Sequence, residues 1–268
     1  MEKYNVKFKK KFGQNFLKDN SVVKKIVGRA NITNNDLVIE VGPGGAILTR
    51  ELAQVAKQVL AYEIDQDLKE ELFKKLKNYG NVDVIFGDFL DANISGDLEK
   101  YDFDNLFFIS NVPYYITTPI LLKLINSGLN FNKIIMMVQK EVGDRFTTGP
   151  GSREYGSISV LLNYYFITKK EFNVSRKEFV PEPNVDSVIV SFSPRDDRLE
   201  LSDFNYFQKL VRDSFQYKRK NLRNNLKDYD LSVIDNVLSK YGFDLTVRAE
   251  CLDYKIFVDM ANSLCFKK

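Results

Sequence analysis

The sequence predicts a doubly wound α/β domain with a mostly parallel seven-stranded sheet, followed by a small all-α domain. Between Leu37 and about Lys140, short and continuous apolar runs alternate with segments of helical period. Such runs are typical of strands buried on both faces of a parallel sheet, and their alternation with helices is typical of βαβ units. Beyond residue 194 only helical spacing remains, so we place the domains at 1–194 and 195–268.

The strands can be assigned in chain order from the apolar runs. They are LVIEV (37–41), VLAYEID (59–65), VDVIFGD (82–88), LFFIS (106–110), KIIMMVQ (133–139), SISVLLNYYFI (157–167) and DSVIVSFS (186–193). No convincing helix separates the last two, so we expect an antiparallel pair that closes the sheet. Pro194 begins a break in the pattern, and the helical spacing from Phe207 to Met260 then predicts the second domain.

The composition excludes several classes of protein. The chain has 268 residues, 44% of them hydrophobic and 28% charged, which fits one large or two modest soluble domains. No apolar run approaches the roughly 20 residues of a membrane span, and the lysines near the N-terminus precede no apolar segment of a secretory signal. We therefore expect a cytoplasmic protein without membrane contact.

Histidine is absent, and there are only two cysteines. A Cys/His zinc site, a catalytic triad and an imidazole base are therefore excluded, and we expect no bound metal. Any chemistry must use carboxylates, amides, hydroxyls, backbone groups or a cofactor.

The positive charge is unevenly distributed along the chain. The net charge is only +3, yet Lys9, Lys10 and Lys11 lie together near the N-terminus. A second basic cluster lies in a segment near 205–227 that we predict to be helical: Lys218, Arg219, Lys220 and Arg223. These clusters indicate either a local polyanion contact, such as RNA phosphates, or an ordinary solvated tail and helix face.

A glycine-rich turn and two acidic residues predict a nucleotide-type cofactor site. Gly42 and Gly44 follow the first strand, Glu63 ends the second strand and Asp88 ends the third. Open α/β sheets bind ligands at this edge, where Glu63 can bind ribose hydroxyls and Asp88 an adenine amine. The turn alone fits NAD as well as S-adenosylmethionine, but the G-P-G-G spacing lacks the third glycine of the pyrophosphate-binding motif. We therefore expect S-adenosylmethionine.

The loop after the fourth strand, Asn111-Val112-Pro113-Tyr114-Tyr115, predicts the catalytic site. The exocyclic amine of adenine is a poor nucleophile, since its lone pair is delocalised into the ring. If the Asn111 side-chain oxygen and the Val112 carbonyl hold its hydrogens, the nitrogen can attack a methyl group. Pro113 stiffens the loop, and Tyr114 can stack on the base. The alternative is a simple Asn-x-Pro turn with tyrosines packed at the sheet edge.

Several ordered blocks resemble the ribosomal RNA adenine dimethyltransferase family across nearly the whole chain. They are GQNFL (13–17), EVGPGGAILT (40–49), GDF (87–89), NVPYYITTP (111–119) and FVPEPNVDSVIV (179–190). The resemblance implies a Rossmann-like class I methyltransferase fold. YGSISVL (155–161) and FQYKRKNLRNNL (215–226) are more similar to members that dimethylate two adjacent adenosines in the 3′-terminal hairpin loop of 16S rRNA during small-subunit biogenesis.

The resemblance also implies roles for individual residues. Cofactor contacts are implied for Asn15, Leu17, Gly42, Gly44, Glu63, Ile64, Asp88, Phe89 and Asn111. Asn111 and Tyr114 match the catalytic amide and the stacking residue, and Phe179 matches the aromatic residue that closes the other face of the target base. Val112 and Tyr115 depart from other members, which often have Leu or Ile and Asn there.

The expected partner is 16S rRNA in an assembling small-subunit particle, bound by a monomer. Three alternatives stay open. A relative that dimethylates an adenine of 23S rRNA and confers macrolide resistance shares the cofactor and catalytic blocks. An NAD-dependent oxidoreductase would use the same kind of glycine turn, and an inactive rRNA-binding assembly factor would need only the basic clusters.

Overall fold

The computed structural model describes residues 16–18 and 20–265. By their contacts the residues divide into two compact units, the first running up to Gly143 and resuming at Lys169–Ser193, the second comprising Asp144–Thr168 and the chain from Pro194 onward. The predicted domains at 1–194 and 195–268 therefore differ from this division by the segment 144–168 and by Pro194. That segment packs with the C-terminal helices, as described below.

The strands form one seven-stranded sheet and one small ribbon. They are β1 (Phe16–Leu17), β2 (Leu37–Val41), β3 (Gln58–Glu63), β4 (Val82–Phe86), β5 (Leu106–Ser110), β6 (Phe131–Gln139), β7 (Phe166–Val174), β8 (Phe179–Val180) and β9 (Ser187–Pro194). The sheet order is β4-β3-β2-β5-β6-β9-β7, and β1 pairs with β8. The pairs from β4 to β6 are parallel, and β9 is antiparallel to β6. The predicted mostly parallel sheet with an antiparallel edge is confirmed.

Helices precede and connect the parallel strands. They are α1 (Asn20–Ala30), α2 (Ile47–Ala53), α3 (Lys69–Leu76), α4 (Ile94–Leu98) and α5 (Thr117–Asn126), and α6 (Lys140–Phe146) begins at the end of β6. All five residues of both β2 and β5 are buried, as expected for central strands covered on both faces. In α1 the buried residues Val23, Ile26 and Ala30 recur at helical spacing.

The strand order reverses at β2. From β2 the chain proceeds outward through β3 to β4, and β5 then returns to the other side of β2. Beyond Ile39 and Phe108 the β2–β5 ladder ends, so the carboxyl ends of the two strands separate. Open α/β sheets bind their ligands at such a reversal, which positions the site of this protein.

The prediction of a strand over 157–167 is wrong. Residues Ser157–Tyr165 form helix α7, and the strand β7 follows it. Gly156 N–H donates to Ser159 Oγ (3.2 Å), which satisfies a free donor at the helix start. Val160, Leu161, Leu162 and Tyr164 are all buried, so this helix is apolar on most sides and lacks the one-sided period that identifies a helix in a sequence.

The second unit is largely helical, as predicted. Besides α7 it contains α8 (Phe204–Ser214), α9 (Leu222–Asn225), α10 (Leu231–Lys240) and α11 (Tyr254–Cys265). Tyr164 of α7 contacts Phe207 of α8 and Tyr254 of α11, with ring centroids 5.3 and 6.4 Å apart. These contacts explain why residues 144–168 belong with the C-terminal helices.

The basic cluster near 218 does not lie in one long helix, contrary to the prediction. Helix α8 ends at Ser214 and α9 starts at Leu222, so Lys218, Arg219 and Lys220 lie in the connection, while Arg223 lies in α9. Lys9, Lys10 and Lys11 are outside the described residues. None of the described helices has the length and hydropathy needed to cross a membrane.

Candidate active site

The glycine turn after β2 holds a buried carboxylate. Gly42 and Gly44 both have positive φ, +74° and +49°, a conformation that favours glycine. Gly44 N–H donates to Glu63 Oε2 (3.2 Å), and Asp65 N–H donates to Glu63 Oε1 (2.9 Å). Burial raises the pKa of Glu63, and the two backbone donors act in the opposite direction. The turn therefore fixes Glu63 in one orientation at the end of β3.

Ser110 joins the separating ends of β2 and β5. Its hydroxyl donates to the Val41 carbonyl (2.5 Å) and accepts from Val41 N–H (3.3 Å). This bridge replaces the ladder hydrogen bonds that end at Ile39. The glycine turn and the loop after β5 are thereby held on either side of one cavity.

The cavity brings together most of the residues predicted for the site. Its lining includes Leu17, Gly42, Gly44, Gly45, Glu63, Ile64, Asp88, Phe89, Asn111, Val112, Pro113, Tyr114 and Tyr115. Asn15 is outside the described residues. The arrangement follows from the fold, because the carboxyl ends of parallel strands meet at one edge of a sheet.

Asp88 caps a turn with one carboxylate oxygen and is exposed at one end of the cavity. Its Oδ1 accepts from Leu90 N–H (2.9 Å), capping the short turn Phe89–Asp91, and the residue is exposed. The Phe89 ring packs edge-on against Tyr62, with centroids 5.1 Å apart. Partial burial raises the pKa of Tyr115, and the negative charge of Asp88 raises it further. Tyr115 is nevertheless 57% exposed. This end of the cavity thus presents a carboxylate beside an accessible aromatic ring.

The loop after β5 is anchored at Tyr114. The Tyr114 and Ser187 hydroxyls form a hydrogen bond of 2.7 Å, and Ser187 is fully buried at the start of β9. Thr117 Oγ1 donates to the Tyr114 carbonyl (3.2 Å), and Ile116 N–H donates to the Pro113 carbonyl (3.1 Å). The Tyr114 ring is therefore held from both its hydroxyl and its backbone.

Phe179 lies apart from the other predicted catalytic residues. It is fully buried, pairs with Leu17 across the β1–β8 ribbon, and belongs to the core cluster around α1 and α2. It does not line the described cavity. Its ring fills a core position in this arrangement, and its contact with the target base stays a prediction.

Glu40 is a cavity residue to which the sequence analysis assigned no role. It is 1% exposed, lines the cavity, and its Oε2 has no hydrogen-bond partner among the described residues. Burial, and secondarily the charge of Glu63, raise its pKa to about 8. A lone acidic residue inside the apolar run LVIEV, directly before the glycine turn, was the signal that could have identified it.

Glu40 is expected to make the stability of the ligand-free protein pH-dependent. Its pKa is about 8 when folded and 4.5 as a free group, so between these values the folded state binds more protons. The free energy of unfolding should therefore fall as the pH rises from about 5 to 8, by at most about 1.4 kcal/mol per pH unit for one proton. Denaturant titrations across this range should show a flatter profile in Glu40→Gln, whereas equal slopes would contradict the assignment.

Comparison with known proteins identifies the family. The model of the family described as ribosomal RNA adenine dimethylase matches residues 5–265. The chain belongs to this family. It is also 41% identical, over 277 aligned positions, to the ribosomal RNA small subunit methyltransferase A of Bacillus cereus and to that of Bacillus anthracis, with 100% of this chain and 95% of each relative covered.

Two solved structures agree with the family and the fold. A dimethyladenosine transferase from Plasmodium falciparum superposes with a TM-score of 0.77 at 27% identity, covering 91% of this chain and 95% of that chain. The 23S rRNA methyltransferase ErmE gives 0.72 at 26%, covering 93% and 99%. The chain is thus an rRNA adenine dimethyltransferase with a Rossmann-like methyltransferase fold. Because ErmE shares it, the fold does not distinguish the two ribosomal subunits.

Proposed function

We propose that this enzyme uses S-adenosylmethionine to dimethylate two adjacent adenosines in the 3′-terminal hairpin loop of 16S rRNA, acting on an assembling small-subunit particle in the cytoplasm. The main support is the 41% identity, over the whole chain, with relatives named for the small subunit, against 26% for the 23S enzyme ErmE. The finer target follows from the resemblance of the sequence blocks to small-subunit members of the family.

The residues of the cavity fit an adenosine-containing cofactor. Glu63 presents a carboxylate whose position is set by two backbone donors, which suits paired ribose hydroxyls. Asp88 uses one oxygen as a cap and has the other for an adenine amine. When bound, S-adenosylmethionine supplies an activated methyl group on a good leaving group.

The loop residues provide the chemistry on the acceptor side. The Asn111 side-chain oxygen and the Val112 carbonyl would accept the two N–H groups of the adenine amine, which orients its lone pair. Fixed acceptors stabilise the charge that develops on the amine as it reacts, without reorganisation. Orientation of the two reactants is the other large contribution to the rate, so no histidine base is needed.

The cofactor and the target are tested separately. Calorimetric titration should show binding of S-adenosylmethionine and its demethylated product, whereas tight binding of NAD alone would support the oxidoreductase alternative. Unmodified rRNA from a deletion strain should accept methyl groups on the small-subunit RNA. Methylation of only the large-subunit RNA would support the 23S alternative.

Tyr114 is expected to act through its ring. Tyr114→Phe removes the hydrogen bond to Ser187 but retains stacking, so we expect a loss of activity of only a few-fold. Tyr114→Ala removes stacking, which typically contributes about 1–3 kcal/mol per base. We therefore expect kcat/KM for RNA to fall by about one to two orders of magnitude. Steady-state methylation assays on both variants check this, and equal effects of the two would contradict it.

We propose that the cluster Lys218, Arg219, Lys220 and Arg223 contacts RNA phosphates, together with Lys9, Lys10 and Lys11. The four residues of the first group are exposed. Replacing Lys218, Arg219 and Lys220 by Glu should lower the dependence of RNA affinity on salt by about one unit of slope per lost phosphate contact. Filter binding over a salt series measures this slope, and an unchanged slope would identify an ordinary solvated surface.

A further inference from the structure

One exposed loop of the second unit combines an aromatic ring with positive charge. We call residues 216–220 the 216–220 loop; it connects α8 to α9, and all five of its residues are exposed. Tyr217 is 58% exposed, the largest value among the exposed large hydrophobic side chains of the described residues. It is followed directly by Lys218, Arg219 and Lys220. An apolar ring surrounded by cations is therefore presented to solvent.

The backbone of this loop is held by one buried side chain. Asn225 Oδ1 accepts from Tyr217 N–H (3.1 Å), and Asn225 Nδ2 donates to the Ser214 carbonyl (2.7 Å). Longer contacts join Nδ2 to the Tyr217 and Lys220 carbonyls, at 3.4 and 3.5 Å. Lys220 N–H also donates to the Tyr217 carbonyl (2.9 Å). The exposed ring thus extends from a fixed backbone, so little conformational entropy is lost when it binds a partner.

The cations of the loop lack an acidic partner in the part of the chain that the structure describes. Within residues 16–18 and 20–265, none of Lys218, Arg219 and Lys220 forms an ion pair; the Lys218 ammonium donates instead to the Arg153 carbonyl (2.9 Å). That contact brings the exposed Arg153 chain segment beside the loop. Uncompensated positive charge on a fixed surface favours a polyanionic partner.

We propose that Tyr217 stacks on an unpaired RNA base while Lys218, Arg219 and Lys220 bind the flanking phosphates. The combination of a cationic surface with an exposed aromatic face is how proteins bind single-stranded nucleic acid without reading its sequence. This inference rests on the proposed function in taking RNA as the partner, but it assigns a base contact to the second unit that is independent of methyl transfer.

The chain contains no tryptophan, so Tyr217→Trp introduces a single indole at the proposed contact, which can be excited at wavelengths that the tyrosines do not absorb. Stacking of a base on the indole should quench its emission. The probes are a single-stranded oligoadenylate of about 12 nucleotides, a length in the range that single-strand-binding domains cover, and an RNA duplex of the same length. Quenching is expected with the single strand only. Tyr241→Trp is the matched control, because Tyr241 is an exposed tyrosine of the same unit that hydrogen-bonds to Asp259; its emission should not change.

Affinity measurements separate stacking from charge. Tyr217→Ala should weaken binding of the oligoadenylate about 5- to 150-fold, the range expected for one stacked base, without altering the salt slope. Tyr217→Phe should bind like the wild type. Binding without quenching, equal affinity of the alanine variant, or no binding to the single strand at low salt would each overturn the proposal. None of these results bears on methylation of small-subunit rRNA, which tests the proposed function.

Discussion

Replacing Asn111 by Ala should reduce the rate of methyl transfer by about two to three orders of magnitude, the effect typical of removing one preorganised polar group from a reaction centre. Asn111 is the first residue after β5, and it lines the same cavity as Glu63 and Asp88. Without its oxygen, only the Val112 carbonyl remains to orient the amine. Single-turnover assays with saturating RNA and S-adenosylmethionine measure the chemical step directly.

The control for this variant is Asn93→Ala. Asn93 is an exposed cap of α4 in the same unit, and its Oδ1 accepts from Gly96 N–H (3.2 Å). Losing a cap destabilises a protein by about 1 kcal/mol, so this variant reports how far mild destabilisation alone lowers activity. We expect nearly full activity for Asn93→Ala, and RNA binding within a few-fold of wild type for Asn111→Ala. Wild-type methylation by Asn111→Ala would remove the proposed mechanism.

Glu63→Gln is expected to weaken binding of S-adenosylmethionine by about 10- to 100-fold. Both carboxylate oxygens accept backbone N–H groups, from Gly44 and from Asp65. A glutamine therefore presents its own NH₂ group to one of these donors in either orientation, and the ribose loses a charged acceptor. A hydrogen bond to a charged group contributes about 1.5–3 kcal/mol, which corresponds to this loss of affinity. Calorimetric titration measures the Kd.

Glu70→Gln serves as the matched control for that experiment. Glu70 is an exposed residue of α3 in the same unit and does not line the cavity. Substitutions at such surface positions usually change stability by no more than about 0.5 kcal/mol. The control should bind the cofactor like wild type, and an equal loss in both variants would show that Glu63 has no specific contact.

The sheet was predictable where strands are buried on both faces. The bounds of β2 and β5 agree with the runs 37–41 and 106–110, because every residue in them is apolar or buried. The prediction failed at α7 for the same physical reason, since a helix buried on most sides is also a continuous apolar run. The strand β7 escaped notice because its sequence FITKKEFNV is half polar and partly exposed.

The site was predictable where it depends on strand ends. Gly42, Glu63, Asp88 and Asn111 each follow or end a parallel strand, so the fold brings them together. The partner of Tyr114 was not predictable, because Ser187 is 73 positions away in the chain and only the antiparallel register of β9 places it there. The core position of Phe179 likewise depends on its pairing with Leu17.

Mass-spectrometric mapping of rRNA tests most directly whether this enzyme dimethylates two adjacent adenosines of small-subunit rRNA. RNA would be taken from cells lacking the gene and from the same cells complemented with wild type or with Asn111→Ala. We predict two adjacent dimethyladenosines near the 3′ end of the small-subunit RNA, present with wild type and absent in the other two strains. Unchanged modification at that position in the deletion strain, or loss confined to 23S rRNA, would contradict the account.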